Sequence, residues 1–498
     1  MKINSSISTN KTLRAVTARG VIALGISTIT KYALQLIRMV ILARLLAPSD
    51  FGIMGLGLIV IGGMEILVAL GPDKYLIQKK ELDANLIGTA WTLRMLLGLL
   101  IGLAAMAVAP IYAELSKETE VGNVLTIIAL SSVVKGMKSP GAVLAERDLK
   151  FRKIAAFDIG LTMLELLVVV SLAMIFGNVL ALAWGVVITA FVETLFSFWI
   201  FPIDFRPSWQ RESLQELLKV GSSFVIISIG SFIMVQGDNL IVGTFLGTAL
   251  LGQYIVAYRL CELPMQLTLQ ITGRAAYSAF CSVQTDIPRR TRWFLSMFEL
   301  QLAMLIPAGL GIVVMANSIV FTIYGSGWEP AIPCLRALGL VVFGRGLSNL
   351  IAPFLIANGH YAFTARVKVI ETVVFLMAVY YGVSGAGLVG AALGAGFGYF
   401  VAGMVRVHYL VQVVKIPATA IFKQIAVAIL TVLPGAVGGL FCDVWLDALP
   451  PVRLVIGLTV LMVGYAVPII FFRRNLLRVF LESLNSMKAT PIPNEVNT

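Results

Sequence analysis

Lys31, Gln35 and Arg38 are spaced by four and then three residues inside an apolar run from Val21 to Leu46, so they share one face of a helix. A second stripe, Arg259, Glu262, Gln266, Gln270 and Arg274, repeats the pattern about two hundred residues later. Glu65, Arg94, Lys135, Asp238, Asn239, Arg336, Arg345 and Asn349 are further polar side chains within apolar surroundings. A charge at the centre of a bilayer costs about 2.5–3.5 kcal/mol on insertion scales, so such groups face a partner or a watery cavity and mark function. Guanidinium groups converging on one cavity suit an anion, phosphate above all, because their planar fork matches its oxygens. We therefore take Lys31, Gln35, Arg38, Arg94, Arg259 and Arg345 as the candidate anion-binding set, and Glu65, Asp238 and Glu262 as candidates for coupling or gating.

The duller readings stand beside these. Glu65 and Asp238 are either proton or cation sites or counter-ions to Arg38 and Arg94. Arg259 and Glu262 are either site residues or an i,i+3 ion pair that reconciles two charges with lipid. Lys74, Lys135, Arg274 and Arg406 stand near the ends of apolar runs and are expected to snorkel to the interface. Glu165, Glu193, Glu299 and Glu371 read as packing or gating groups with no ligand role. Catalysis has little material: the chain has two histidines, His360 and His408, and four cysteines, Cys261, Cys281, Cys334 and Cys442, without ligand spacing. No metal, cofactor or disulfide framework is expected.

The elements that must position these groups are membrane spans. Of 498 residues, 58% are hydrophobic and only 13% charged, with mean hydropathy +0.92; soluble proteins are about 25% charged. This is the composition of an all-α integral membrane protein. The net charge of +12 is scattered in short clusters between apolar runs, which is the positive-inside signature rather than a nucleic-acid footprint.

Spans need about 20 apolar residues each. The sequence accommodates fourteen, over 20–46, 51–77, 86–112, 121–138, 155–176, 179–201, 219–245, 249–275, 292–315, 331–357, 365–383, 386–410, 423–442 and 453–472. Basic residues collect in alternate loops, among them Lys79 and Lys80, the group Lys138 to Lys153, Arg289 to Arg292, and Arg473 to Lys488. The opposite loops carry only Lys117 and Arg453. Both termini are accordingly expected in the cytoplasm. The first apolar run is too long for a signal peptide and is expected to remain as a span. Segments 210–219 and 473–487 read as amphipathic helices on the inner surface, and the polar tail from Lys488 as disordered. No loop is large enough for a separate catalytic domain.

Shifting the chain by two hundred residues lays Ile41 on Ile241, Leu46 on Leu246 and Gly52 on Gly252, with Arg38 falling on Asp238. Both copies read as apolar run, turn of small residues, apolar run. This is the layout of a diverged internal duplication of the kind that builds transporters.

Several stretches resemble one family. They are Leu42-Ala-Arg-Leu-Leu-Ala-Pro-Ser-Asp-Phe-Gly52, Tyr75-Leu-Ile-Gln-Lys-Lys-Glu-Leu82, Ala145-Glu-Arg-Asp-Leu-Lys-Phe-Arg-Lys153, the run Gly237 to Arg259 with Pro264 after it, Tyr324-Gly-Ser-Gly-Trp-Glu-Pro-Ala-Ile-Pro-Cys-Leu-Arg336, and Ala357-Asn-Gly-His360. In order and spacing the chain resembles the polysaccharide exporters of the multidrug/oligosaccharidyl-lipid/polysaccharide flippase superfamily. Within it, the likeness is to the Wzx-type flippases and their colanic-acid and exopolysaccharide branch, from the N-terminal arm to about Arg406. The resemblance implies two pseudo-symmetric six-helix lobes and a C-terminal helix pair, hence an N-lobe over 1–209, a C-lobe over 210–415 and a final pair with a tail over 416–498.

It also implies a non-enzymatic transporter of a bacterial inner membrane. Such a protein moves an undecaprenyl-pyrophosphate-linked oligosaccharide from the cytoplasmic to the outer leaflet by alternating access, with polysaccharide-synthesis proteins as further partners. The alternative within the superfamily is a multidrug extruder, which calls for an acidic cavity. A polymerase or ligase needs a large extracytoplasmic loop, and a purely structural subunit has no use for so many charges in its spans.

Overall fold

In the computed structural model the described residues are 8–66, 72–79, 82–203, 206–282 and 286–472. The expected amphipathic segment 473–487 and the polar tail lie outside them. Sixteen helices follow one another: α1 Ser8–Leu45, α2 Pro48–Glu65, α3 Pro72–Gln78, α4 Ala84–Ser116, α5 Thr119–Gly136, α6 Gly141–Arg147, α7 Phe151–Phe176, α8 Leu180–Ile200, α9 Arg211–Leu246, α10 Thr248–Ser282, α11 Ile287–Val314, α12 Ala316–Ile323, α13 Ala331–Ala357, α14 Tyr361–Gln412, α15 Ala418–Trp445 and α16 Pro450–Phe472. Among the described residues ten helices are long and apolar enough to cross a membrane, or eleven if the bent pair α5–α6 counts as one span.

Local chemistry sets the boundaries. Asp83 caps α4 by accepting the Leu86 N–H at 2.8 Å, and Asp286 caps α11 from Arg289 at 3.0 Å, each satisfying a first-turn donor that has no partner within the helix. Pro48 occupies the first turn of α2, where its missing N–H costs nothing, and Asp50 accepts the Ala47 N–H at 2.9 Å. α9 ends at Gly247, whose φ of +83° suits a residue without Cβ. With α2 starting at Pro48 and α10 at Thr248, the two-hundred-residue offset read from the sequence reappears as two matching helix–turn–helix units.

The 52-residue α14 holds two of the expected spans. Its backbone leaves helical geometry at Ala386 and Gly387. Beyond that point it returns antiparallel, since Gly382 packs on Gly390, Ala378 on Gly394 and Phe375 on Gly398. Small residues let two helices in a bilayer approach this closely. Two boundaries differ from expectation. The second apolar segment, read as 51–77, is split: α2 ends at Glu65 and α3 is a separate short helix. Segment 210–219 is no free-standing surface helix but the first turns of α9, and Leu217 is buried in a cluster with Leu76, Leu86 and Leu93.

One large apolar core joins the two halves at the end of the bundle where α1 meets α2 and α9 meets α10. It includes Leu42, Met54, Leu251, Tyr254, Tyr324 and Trp328. The α15–α16 pair packs on α11 and α12 through a second cluster with Val314, Met315, Val432 and Leu461, and Gly435 and Gly464 bring the pair's two helices together.

Candidate functional site

A cavity of about 330 Å³ lies between α1, α2, α7 and α8 of the first half and α10 of the second. Its polar lining is Tyr32, Gln35, Arg38, Glu165, Arg259, Glu262 and Gln266; Leu36, Met54, Leu58, Val169 and Leu263 contribute apolar wall. The helical spacing that motivated both stripes is what aims them inward: Gln35 and Arg38 from α1, and Arg259, Glu262 and Gln266 from α10. Gln266 donates to Glu262 at 3.1 Å. Among the described residues no ion pair joins Arg259 to Glu262, and Arg259 is exposed.

Arg38 forms an ion pair with Glu165 on α7. The α7 sequence gives Glu165 only a packing or gating role and no sign of its place opposite Arg38. Nothing in one apolar helix indicates which distant helix it will face. The cavity holds Arg38 and Arg259 against Glu165 and Glu262, so its formal charges balance.

The remaining candidates lie elsewhere. Lys31 is one turn from the cavity lining and pairs with Asp158 on α7 at 3.0 Å. Arg94, nearly buried, pairs with Asp73 at 3.2 Å and donates to the Lys135 carbonyl at 3.2 Å, tying α3 and α5 to α4. Arg345 donates to the Tyr258 hydroxyl at 2.5 Å and lies over the rings of Tyr258 and Tyr399. Asp238 is buried and accepts from the Tyr254 hydroxyl at 2.9 Å and the Asn239 N–H at 2.9 Å. Glu65 sits 3.6 Å from Lys135 and accepts from Ser132 at 3.4 Å. The counter-ions of Arg38 and Arg94 are thus Glu165 and Asp73, not Asp238 and Glu65.

Arg406 does not snorkel. It is 2% exposed, pairs with buried Glu371 at 2.8 Å and donates to Ser348 at 2.7 Å, a crosslink between the two arms of α14 and to α13.

Beyond the cavity, towards the end of the bundle away from the basic loops, the halves close on each other. The start of α2 and the start of α10 cross with backbone in contact at Gly52 and Gly252. Trp328, buried, donates to the Ala43 carbonyl at 3.0 Å and meets Phe51 edge-on with centroids 5.4 Å apart. Thr248 donates to Glu118 at 3.1 Å, and Arg44 donates to the carbonyls of Thr322 and Ile323. Each of these contacts joins one half to the other.

The family described as "Polysaccharide biosynthesis protein" matches residues 41–333. The chain is similar to the lipopolysaccharide biosynthesis protein WzxC of Escherichia coli (strain K12), 24% identical over 384 residues, covering 77% of this chain and 78% of that one. It is also similar to the succinoglycan biosynthesis transport protein ExoT of Rhizobium meliloti (strain 1021), 22% identical and covering 93% of this chain and 94% of that one. Among solved structures it is similar to the lipid II flippase MurJ in an inward closed conformation, with TM-score 0.70 and 15% identity, covering 92% of this chain and 100% of that one. At that identity the likeness speaks for the fold alone.

Proposed function

The chain belongs to the polysaccharide biosynthesis protein family, and from that premise we propose that it is a membrane flippase for an undecaprenyl-pyrophosphate-linked oligosaccharide. It moves the headgroup from the cytoplasmic to the outer leaflet while the lipid tail stays in the bilayer. The observation that carries this reading is the cavity in which Arg38 of one half and Arg259 of the other face one space. A pyrophosphate with a sugar headgroup cannot cross about 30 Å of hydrocarbon unaided. A polar cavity open to one leaflet at a time removes that desolvation cost, and two guanidiniums give the anion its grip.

The basic loops favour cytoplasmic termini, which makes the Gly52–Gly252 end the outer one and the present state closed to the outside. Counting α2, α5 and α10 as spans alongside the longer apolar helices, and the two arms of α14 separately, gives the even number of fourteen that both termini on one side require. The lobes divide near residue 210, with α15 and α16 as an added pair, and a bacterial inner membrane is the setting. We assign pyrophosphate contact to Gln35, Arg38 and Arg259, with Lys31 at the entrance. Arg345 and Arg94 hold their halves together. Glu262, Asp238 and Glu65 remain the acidic groups available for coupling or gating.

Transport in vesicles tests the substrate class. Purified protein in liposomes should move a polyprenyl-pyrophosphate oligosaccharide between leaflets and leave a cationic dye where it is. Extrusion of the dye without movement of the lipid would favour the multidrug alternative, to which the relatives named for lipopolysaccharide and succinoglycan lend no support.

A further inference from the structure

The C-terminal pair α15–α16 contributes nothing to the cavity lining, yet it reaches the interface between the halves through one short helix. Asp443, at the end of α15 and 1% exposed, accepts the Ser318 N–H at 2.9 Å and also takes the Ser318 hydroxyl. Ser318 lies in the first turn of α12, so a carboxylate from another helix caps the positive end of that helix's dipole. At the other end of α12, the carbonyls of Thr322 and Ile323 accept from the Arg44 guanidinium. Arg44 belongs to the first half and sits in the last turn of α1. An anion therefore holds the N-terminus of α12 and a cation its C-terminus, each in the sense the macrodipole favours. The chain then runs from α12 into Tyr324 and Trp328, the side chains that seat against Met39 and Ala43 of α1.

We propose that α12 is the strut of an outer latch, fixed to the C-terminal pair by Asp443 and gripping α1 through Arg44, and that the pair thereby sets the balance between outward-closed and outward-open states. The proposal rests on the alternating-access reading given above. Arg44 lies six residues beyond Arg38 on the same helix, about 9 Å along its axis. A pull on α1 at the cavity is thus felt directly at the latch. Asp443 is remote from the cavity, so its effect on opening travels through α12.

Opening is read by a reporter in the cavity wall, Leu36→Cys, labelled from outside intact cells with a membrane-impermeant maleimide; the same protein without the reporter gives the background. Asp443→Ala and Arg44→Gln are each expected to raise the external labelling rate by about tenfold, within the usual range of coupling between sites. Asp443→Asn should raise it less, because its amide oxygen still accepts from Ser318. The double variant should be labelled no faster than the faster single one, since both break one strut. If Asp443→Ala fails to reach the membrane, Ser318→Ala, which removes only the hydroxyl donor, takes its place.

Gly252→Ala, whose added carbon meets the Pro48 backbone, supplies an open standard. Fast labelling of that variant with unchanged labelling of the latch variants would overturn the latch and leave alternating access standing, as would effects of Asp443 and Arg44 that multiply. No external labelling of Gly252→Ala would overturn alternating access and the latch with it.

Discussion

Gly52 and Gly252 sit against each other's helices across the boundary between the halves. A Cβ on Gly52 meets the Thr248 carbonyl oxygen at 1.8 Å, and one on Gly252 meets the Pro48 carbonyl oxygen at 1.8 Å. The two residues are two hundred positions apart, and the contact is reciprocal: each meets the backbone at the start of the other's helix. Backbone is the obstacle in both cases, and backbone does not yield as the end of a flexible side chain does.

Gly52→Ala and Gly252→Ala should therefore each prevent closure at this end. Overpacking of this kind costs about 1–3 kcal/mol, charged here to the closed state alone. Transport is expected to fall at least tenfold while protein remains in the membrane. Normal export by either variant would show that this crossing does not need to close.

The Arg38–Glu165 pair predicts opposite effects from its two members. Arg38→Ala removes the grip on the anion and should abolish export. Glu165→Gln frees Arg38 from its counter-ion and should tighten binding of a pyrophosphate lipid, read as a lower Kd in detergent. Weaker binding by Glu165→Gln would place the ligand elsewhere.

Arg406 and Glu371 are buried and paired, and Lys368 also reaches Glu371 at 3.4 Å. Removing Glu371 therefore strands the buried Arg406 charge, at a cost of about 3–5 kcal/mol, while removing Arg406 leaves Glu371 with the half-exposed Lys368 alone. Arg406→Met or Glu371→Leu alone should lower the thermal midpoint of the purified protein markedly. The two together should lower it less. Equal losses from single and double changes would mean the pair is not the source of the stability.

At the end of the bundle that carries the basic loops, hydrogen bonds from Lys79, at 2.8 Å, and Tyr75 hold the Glu216 carboxyl below its ordinary value. A carboxyl lowered on folding adds stability above its ordinary pKa, about 4.3, and loses it as pH falls through the lowered value. The pair is exposed enough that the effect is about 0–1 kcal/mol. Transport between pH 6 and 8 should be unchanged in Glu216→Gln. A shift of the pH profile in that range would give Glu216 a role that its contacts do not suggest.

Much of this arrangement is legible in the sequence because a bilayer leaves few options. Helices must span, charges must be sheltered, and a duplicated turn at Gly52 and Gly252 survives as a landmark. Spacing alone put Gln35, Arg38, Arg259, Glu262 and Gln266 on two faces, and the fold brings those faces to one cavity. Partners were not legible. Arg38 meets Glu165, Arg94 meets Asp73 and Arg406 meets Glu371 only through packing between helices far apart in sequence or folded back on each other. Arg406 illustrates the failure well: near the end of a linear span it looks free to reach water, but the hairpin at Ala386–Gly387 carries it against Glu371. The capping of α12 by Asp443 was hidden for the same reason.

Flipping is read by locating the lipid-linked oligosaccharide in cells that lack this protein and any related flippase. It should accumulate on the cytoplasmic leaflet, and surface polysaccharide should be lost. Wild-type protein should reverse both effects; Arg38→Ala or Arg259→Ala, present at equal levels, should reverse neither. An unchanged leaflet distribution in the cells without the protein would contradict the flippase reading, and full rescue by both arginine variants would contradict the cavity.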